Sequence, residues 1–169
     1  MRRVLDGIYT GAALLAALCM VATLVLVLAN ILDRYITLPF RGLDMYAGYA
    51  MAGAGFLSLA HTFKRGEHIR VTLVLNALKP RGRRHLDTFA LLLGALVSAL
   101  FTYYSVRLVS NSLAFHDIST GNDATPLWIP QLVMAVGAVV LSIALLDELI
   151  LALTGRRTEA ASEEPLRSE

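Results

Sequence analysis

The chain has almost no cysteine, little charge and one tryptophan. The single thiol, Cys19, leaves no partner for an intramolecular disulfide and no thiolate set for a metal. Charged residues make up only 17% of the 169 residues, against roughly 25% in a soluble globular protein. A formal net charge of +2 is too small to mark a nucleic-acid partner. What fills the space is apolar material: 56% hydrophobic residues and a mean hydropathy of +0.61.

The charges are also unevenly placed. Four long stretches contain none: Gly7 to Leu32, Met45 to Phe63, Thr88 to Val106 and Ala124 to Leu146. Crossing a bilayer core takes about 20 residues of helix. In lipid each backbone amide must be satisfied within its own segment, so helix is the expected state of all four. The composition and pattern predict an all-α integral membrane protein with four transmembrane helices, about 7–32, 45–63, 88–106 and 124–146. These form one membrane domain over 1–157, followed by a disordered cytoplasmic tail at 158–169. Arg2 and Arg3 before an apolar run could open a signal peptide. The first run is too long for that, and it reads as an uncleaved helix.

Lysine and arginine placement sets the expected orientation. With both termini inside, 12 of the 15 basic residues face the cytoplasm. Seven of them lie between Lys64 and Arg84, in the second loop. That loop also carries a moderately amphipathic pattern: Val71, Val74, Leu75 and Leu78 on one side, and His68, Thr72, Asn76 and Lys79 on another. It predicts a short helix in the membrane interface, lying on lipid or on a partner protein and ended at Lys79-Pro80.

No Asp, Glu, Lys, Arg or His falls near the middle of a predicted span. Coupling and relay sites need such residues, and secondary transporters use helices broken at mid-depth. Pro126 and Pro130 fall in the first turns of the fourth span, where a missing N–H is tolerated. No translocation pathway is therefore expected in this chain alone. His61, His68 and His85 gather near the cytoplasmic face, and His116 lies opposite. His61 and His85, at similar expected depth, raise an alternative reading, a haem-binding membrane anchor of a redox enzyme. A third is a free-standing membrane protein in assembly or signalling. No cofactor, metal or catalytic residue is predicted.

At the outer ends, Asn30 and Arg34 share a helix face, and Asp44 is placed to cap the second helix or pair with Arg34. Tyr103, Tyr104 and Trp128 suit an aromatic belt at that surface. Gly48, Ala52 and Gly55 form a small-residue stripe that would let another helix approach closely, either from this chain or from a partner.

Three stretches are similar to a known family. They are Asn30-Ile31-Leu32-Asp33-Arg34-Tyr35, Arg65-Gly66-Glu67-His68-Ile69-Arg70-Val71, and Thr125-Pro126-Leu127-Trp128-Ile129-Pro130-Gln131. In order and placement they resemble the small membrane subunit of tripartite ATP-independent periplasmic (TRAP) transporters, the DctQ type. Before the second helix the family often has Trp and a Glu pair; here the chain reads Phe40-Arg41-Gly42-Leu43-Asp44. The resemblance implies a bacterial inner-membrane protein. It implies partnership with a large permease subunit that carries substrate and sodium sites, and with a periplasmic binding protein that delivers an organic acid. The small subunit would enlarge the scaffold against which the transport domain moves. Asn30, Arg34, Asp44, Gly48, Ala52, Gly55, Gly66, His68, Pro126, Trp128 and Pro130 are the candidate interface or structural positions.

Overall fold

The computed structural model describes residues 2–36, 42–65, 80–121 and 123–154. Four helices make up nearly all of them: α1 (Arg2–Ile36), α2 (Leu43–Lys64), α3 (Pro80–Phe115) and α4 (Trp128–Leu153). The helices run past the uncharged stretches, because hydrogen bonding continues until a local stop. The expected interfacial helix, Gly66, His68 and the tail at 158–169 lie outside the described residues.

The local stops are visible. Gly42 precedes α2 with φ of 79°, a left-handed conformation that costs glycine little. Asp44 makes no side-chain cap; it is exposed in the first turn of α2, and among the described residues it has no ion pair with Arg34. At the end of α3, His116 takes a φ of 53°, and the Asp117 N–H reaches back to the Ser112 carbonyl at 3.1 Å. This is the closing pattern usually built with glycine. Pro126 falls before α4 and not in its first turns. It pairs with Ile118 in a short antiparallel bridge, with Ser119 N–H donating to Thr125 O and Leu127 N–H to Asp117 O. Pro130 does lie in the first turn of α4.

The helices form an open row. α1 packs on α2, α2 on α4 and α4 on α3, while α1 barely touches α4. Two buried clusters hold it: Tyr9, Ala12, Ala60, Val140 and Ala144, and Leu91, Ala95, Leu145, Leu149 and Ala152. Small residues bring the backbones close. A Cβ on Gly137 would stand 2.6 Å from the Phe56 carbonyl oxygen, so α2 and α4 cross there in near-backbone contact.

Three helices are long and apolar enough to cross a membrane: Leu5–Ile36, His85–Phe115 and Trp128–Leu153. α2 is not among them. Its glycines and tyrosines dilute its apolar character, and as an inner member of the row it is flanked by α1 on one side and α4 on the other. Leu43, Ala47, Gly53, Ala54, Leu57 and Ala60 are buried there.

Candidate functional site

α2 carries two faces of small residues, and only one is used within the chain. Gly53 faces inward, where an added Cβ would lie 3.2 Å from both Cys19 Sγ and Val133 Cγ1. Gly48, Ala52 and Gly55 face outward and are exposed. A Cβ on Gly48 or Gly55 would meet nothing within 4 Å. Among the described residues, then, nothing packs on Gly48 or Gly55.

The two ends of the row differ. At the end holding the N-terminus, called proximal here, Lys64 at the last turn of α2 donates to Asp147 and, at 3.2 Å, to Glu148, both on α4. Its ammonium also stands 5.6 Å from the centre of the Tyr9 ring on α1, within cation–π range. Three helices thus meet at one cation. The sequence reading missed this group. Its signal was the first charge after the second uncharged stretch and the acidic pair after the fourth, which the topology brings to one end.

At the distal end hydroxyls gather around one carboxylate. Tyr49 Oη donates to Asp123 Oδ2 at 3.1 Å, and Ser119 Oγ donates to Asp123 Oδ1 at 2.7 Å. Thr125 Oγ1 donates to Tyr46 Oη at 3.2 Å. These bonds tie the 116–127 connection onto the first turns of α2. Hydrogen bonds from Ser119 first, then Thr125 and Tyr49, lower the Asp123 carboxyl from 3.8 to about 2. Asn30 is half-buried and Arg34 exposed on α1, while Trp128 is half-buried where α4 opens.

Several expected groupings do not form. Thr102 on α3 meets Ser142 on α4 at 2.9 Å. Ser142 is ~20 Å along α4 from Trp128 at a 1.5 Å rise per residue, so Tyr103 and Tyr104 cannot share a belt with Trp128. The two tyrosines instead pack edge to face with each other, 5.4 Å between centroids. Arg107 does not begin a loop; it is exposed on α3, two turns before the helix ends. Asp147 and Glu148 also fall inside a helix, as α4 runs on to Leu153.

Leu91 already packs at the level of Ala152, and His85 lies further out along α3. His61, one turn before Lys64, is therefore ~20 Å away along the axis. A shared haem between these two histidines has no geometric support. Among the described residues no group of three or more His, Cys, Asp or Glu could hold a metal ion.

A search of curated proteins returns no significant match. A family model does match, over residues 23–155, and its description is "Tripartite ATP-independent periplasmic transporters, DctQ component". The match begins in mid-α1 and ends just past α4, so it takes in α2, α3, α4 and the distal end, while Tyr9 and the proximal half of α1 precede it. The chain belongs to that family: it is the small membrane component of a bacterial TRAP transporter, and not an enzyme.

Proposed function

We propose that this chain is the fixed scaffold subunit of its transporter, and that the outward stripe Gly48, Ala52 and Gly55 seats a helix of the large permease subunit. The observation that carries this reading is the empty space over the stripe, on a helix whose other small face is fully used. Close approach of helices in lipid needs such positions. An open row also offers two broad apolar faces, as a wall does, where a closed bundle would hide them.

In this reading all four helices cross the membrane, α2 being shielded by its neighbours. The proximal end and both termini face the cytoplasm, in line with the skew of basic residues. The large subunit carries the sodium and substrate sites, and a periplasmic binding protein delivers an organic acid at the distal end. Asn30, Arg34, Asp44, Pro126, Trp128 and Pro130 then act in shaping that distal end, and Gly66 and His68 in the cytoplasmic loop.

The test has two arms. Gly48→Leu with Gly55→Leu should leave the isolated chain's thermal stability unchanged, because no described residue meets them. The same double variant should lose co-purification with the large subunit. Survival of the complex would show that the stripe faces lipid. In liposomes with a sodium gradient and a labelled organic acid, the chain alone should give background uptake. Large subunit plus binding protein should give little uptake, and adding this chain should restore it. Full uptake without the chain would overturn the scaffold role.

A further inference from the structure

The distal end holds a cavity of about 560 Å³ between α1, α2 and α4. One face of α1 packs inward along its length: Tyr9, Ala12 and Ala16 are buried, whereas Cys19, Thr23, Leu26 and Asn30 are half-buried. α1 packs on α2 but barely touches α4, and the wedge lies where α4 leaves that face less covered. Gly53, lacking a side chain, leaves the floor low between Cys19 and Val133. Ala50, Ile129, Pro130 and Val133 make the walls apolar. The rim is polar, formed by Tyr46, Tyr49, Thr125 and Asp123, and Asp123 supplies its only carboxylate.

We propose that this wedge holds one acyl chain of a phospholipid whose headgroup carries a free ammonium, seated at the Asp123 rim. The proposal rests on the membrane-spanning reading given above. An apolar void of this size in a membrane forfeits the dispersion contacts of every wall atom, and the surrounding solvent is hydrocarbon. Ile129 and Tyr46 of its lining are themselves exposed, which opens the wedge at the surface of the chain, toward lipid in the membrane-spanning reading. The apolar depth and polar mouth match an amphiphile lying along the bilayer normal. The charge at the mouth is negative, which favours an ammonium over an anionic glycerol headgroup.

The experiment is native mass spectrometry of the full chain released from nanodiscs of phosphatidylethanolamine, phosphatidylglycerol or an equal mixture. The wild type should retain one lipid per chain, with phosphatidylethanolamine favoured by ~3-fold, as suits one partly solvated charge. Ala50→Phe, which fills the wall, should drop retention to the background of loosely held lipid with helix content unchanged. Gly53→Leu should do the same, and Ala50→Phe decides the matter should Gly53→Leu fail to fold. Asp123→Asn should keep the lipid and erase the headgroup preference. No retained lipid, or equal retention by Ala50→Phe, would overturn the proposal. Expulsion of the lipid on adding the large subunit would overturn it too, assigning the wedge to a protein helix. A reporter fusion placing the N-terminus in the periplasm would sink the topology instead, while leaving the lipid count intact.

Discussion

The proximal and distal ends of the row are built from the same helices and held in different ways. The proximal end is dry and charged: Ala60 and Ala144 are 1% and 0% exposed, and one ammonium joins three helices. The distal end is held by hydroxyls around one carboxylate, and α1 is only half-buried there. Both ends hold charge-assisted hydrogen bonds, but the proximal group pairs opposite charges. It also joins α1, α2 and α4, whereas the distal bonds join only the 116–127 connection to α2. The proximal end is therefore a clamp across three helices, and the distal one a tie between a connection and one helix.

The heaviest way to break this difference is to wedge apart the crossing both ends share. Gly137→Leu would drive a side chain into the Phe56 backbone. Overpacking on that scale costs on the order of 3 kcal/mol. Both ends should loosen together, seen as a large fall in melting temperature and exchange of amides throughout α2 and α4. Breaking the proximal end alone should cost less. Lys64→Met removes the cation shared by Asp147 and Glu148, whose side chains are 29% and 21% exposed. That partial exposure lowers the loss below the roughly 3–5 kcal/mol of a fully buried pair, to about 2 kcal/mol. Adding Asp147→Leu should return part of it, and a double-mutant cycle without coupling would refute the clamp.

The distal end should respond more weakly. Gly42→Ala places a methyl 2.7 Å from the Asp123 Cβ at a φ of 79°. The strain costs about 1–2 kcal/mol and should raise protease sensitivity of the 116–127 connection without touching the proximal amides. The pH response sharpens the contrast. The Asp123 carboxyl is lowered from 3.8 to about 2, so its contribution is whole at neutral pH and is lost as pH falls through about 2. The melting difference between wild type and Asp123→Asn should accordingly be flat across the neutral range and shrink only under strong acid. A difference that vanishes near neutrality would show that the carboxylate is not held. The smallest effect is a gain. His116→Gly relieves a left-handed histidine and should stabilise by ~0.5 kcal/mol, read as a small rise in melting temperature.

Much of this architecture was legible in the sequence, for physical reasons. Lipid forces helix on long uncharged stretches, so the helices and their order followed from charge placement alone. The motifs around Asn30, Arg65 and Thr125 carried the family. The arrangement of the helices was less accessible. Gly48, Ala52 and Gly55 look like Gly53 in composition, and only helix rotation decides which set is covered. Tyr103 and Tyr104 were misplaced because uncharged length does not fix the register of α3 against α4. The Lys64 group was hidden because Lys64 lies more than 80 residues from its two acids, each reading as an ordinary end of a span.

The open order of the row bears on how the chain is made. α3 packs on α4 and on little else. A ribosome delivers α3 first, so in the four-span reading α3 waits in the membrane for its main partner, held to α2 only through aromatic contacts such as Phe56 on Phe101. α1 and α2 are contiguous and can pair as soon as α2 arrives. Truncation after α2 should thus yield a paired, protease-resistant hairpin, whereas truncation after α3 should add a lone helix open to quality-control proteases. The emergence of α4, the last of these four helices to be translated, is the event that gathers the first pair and the waiting helix together.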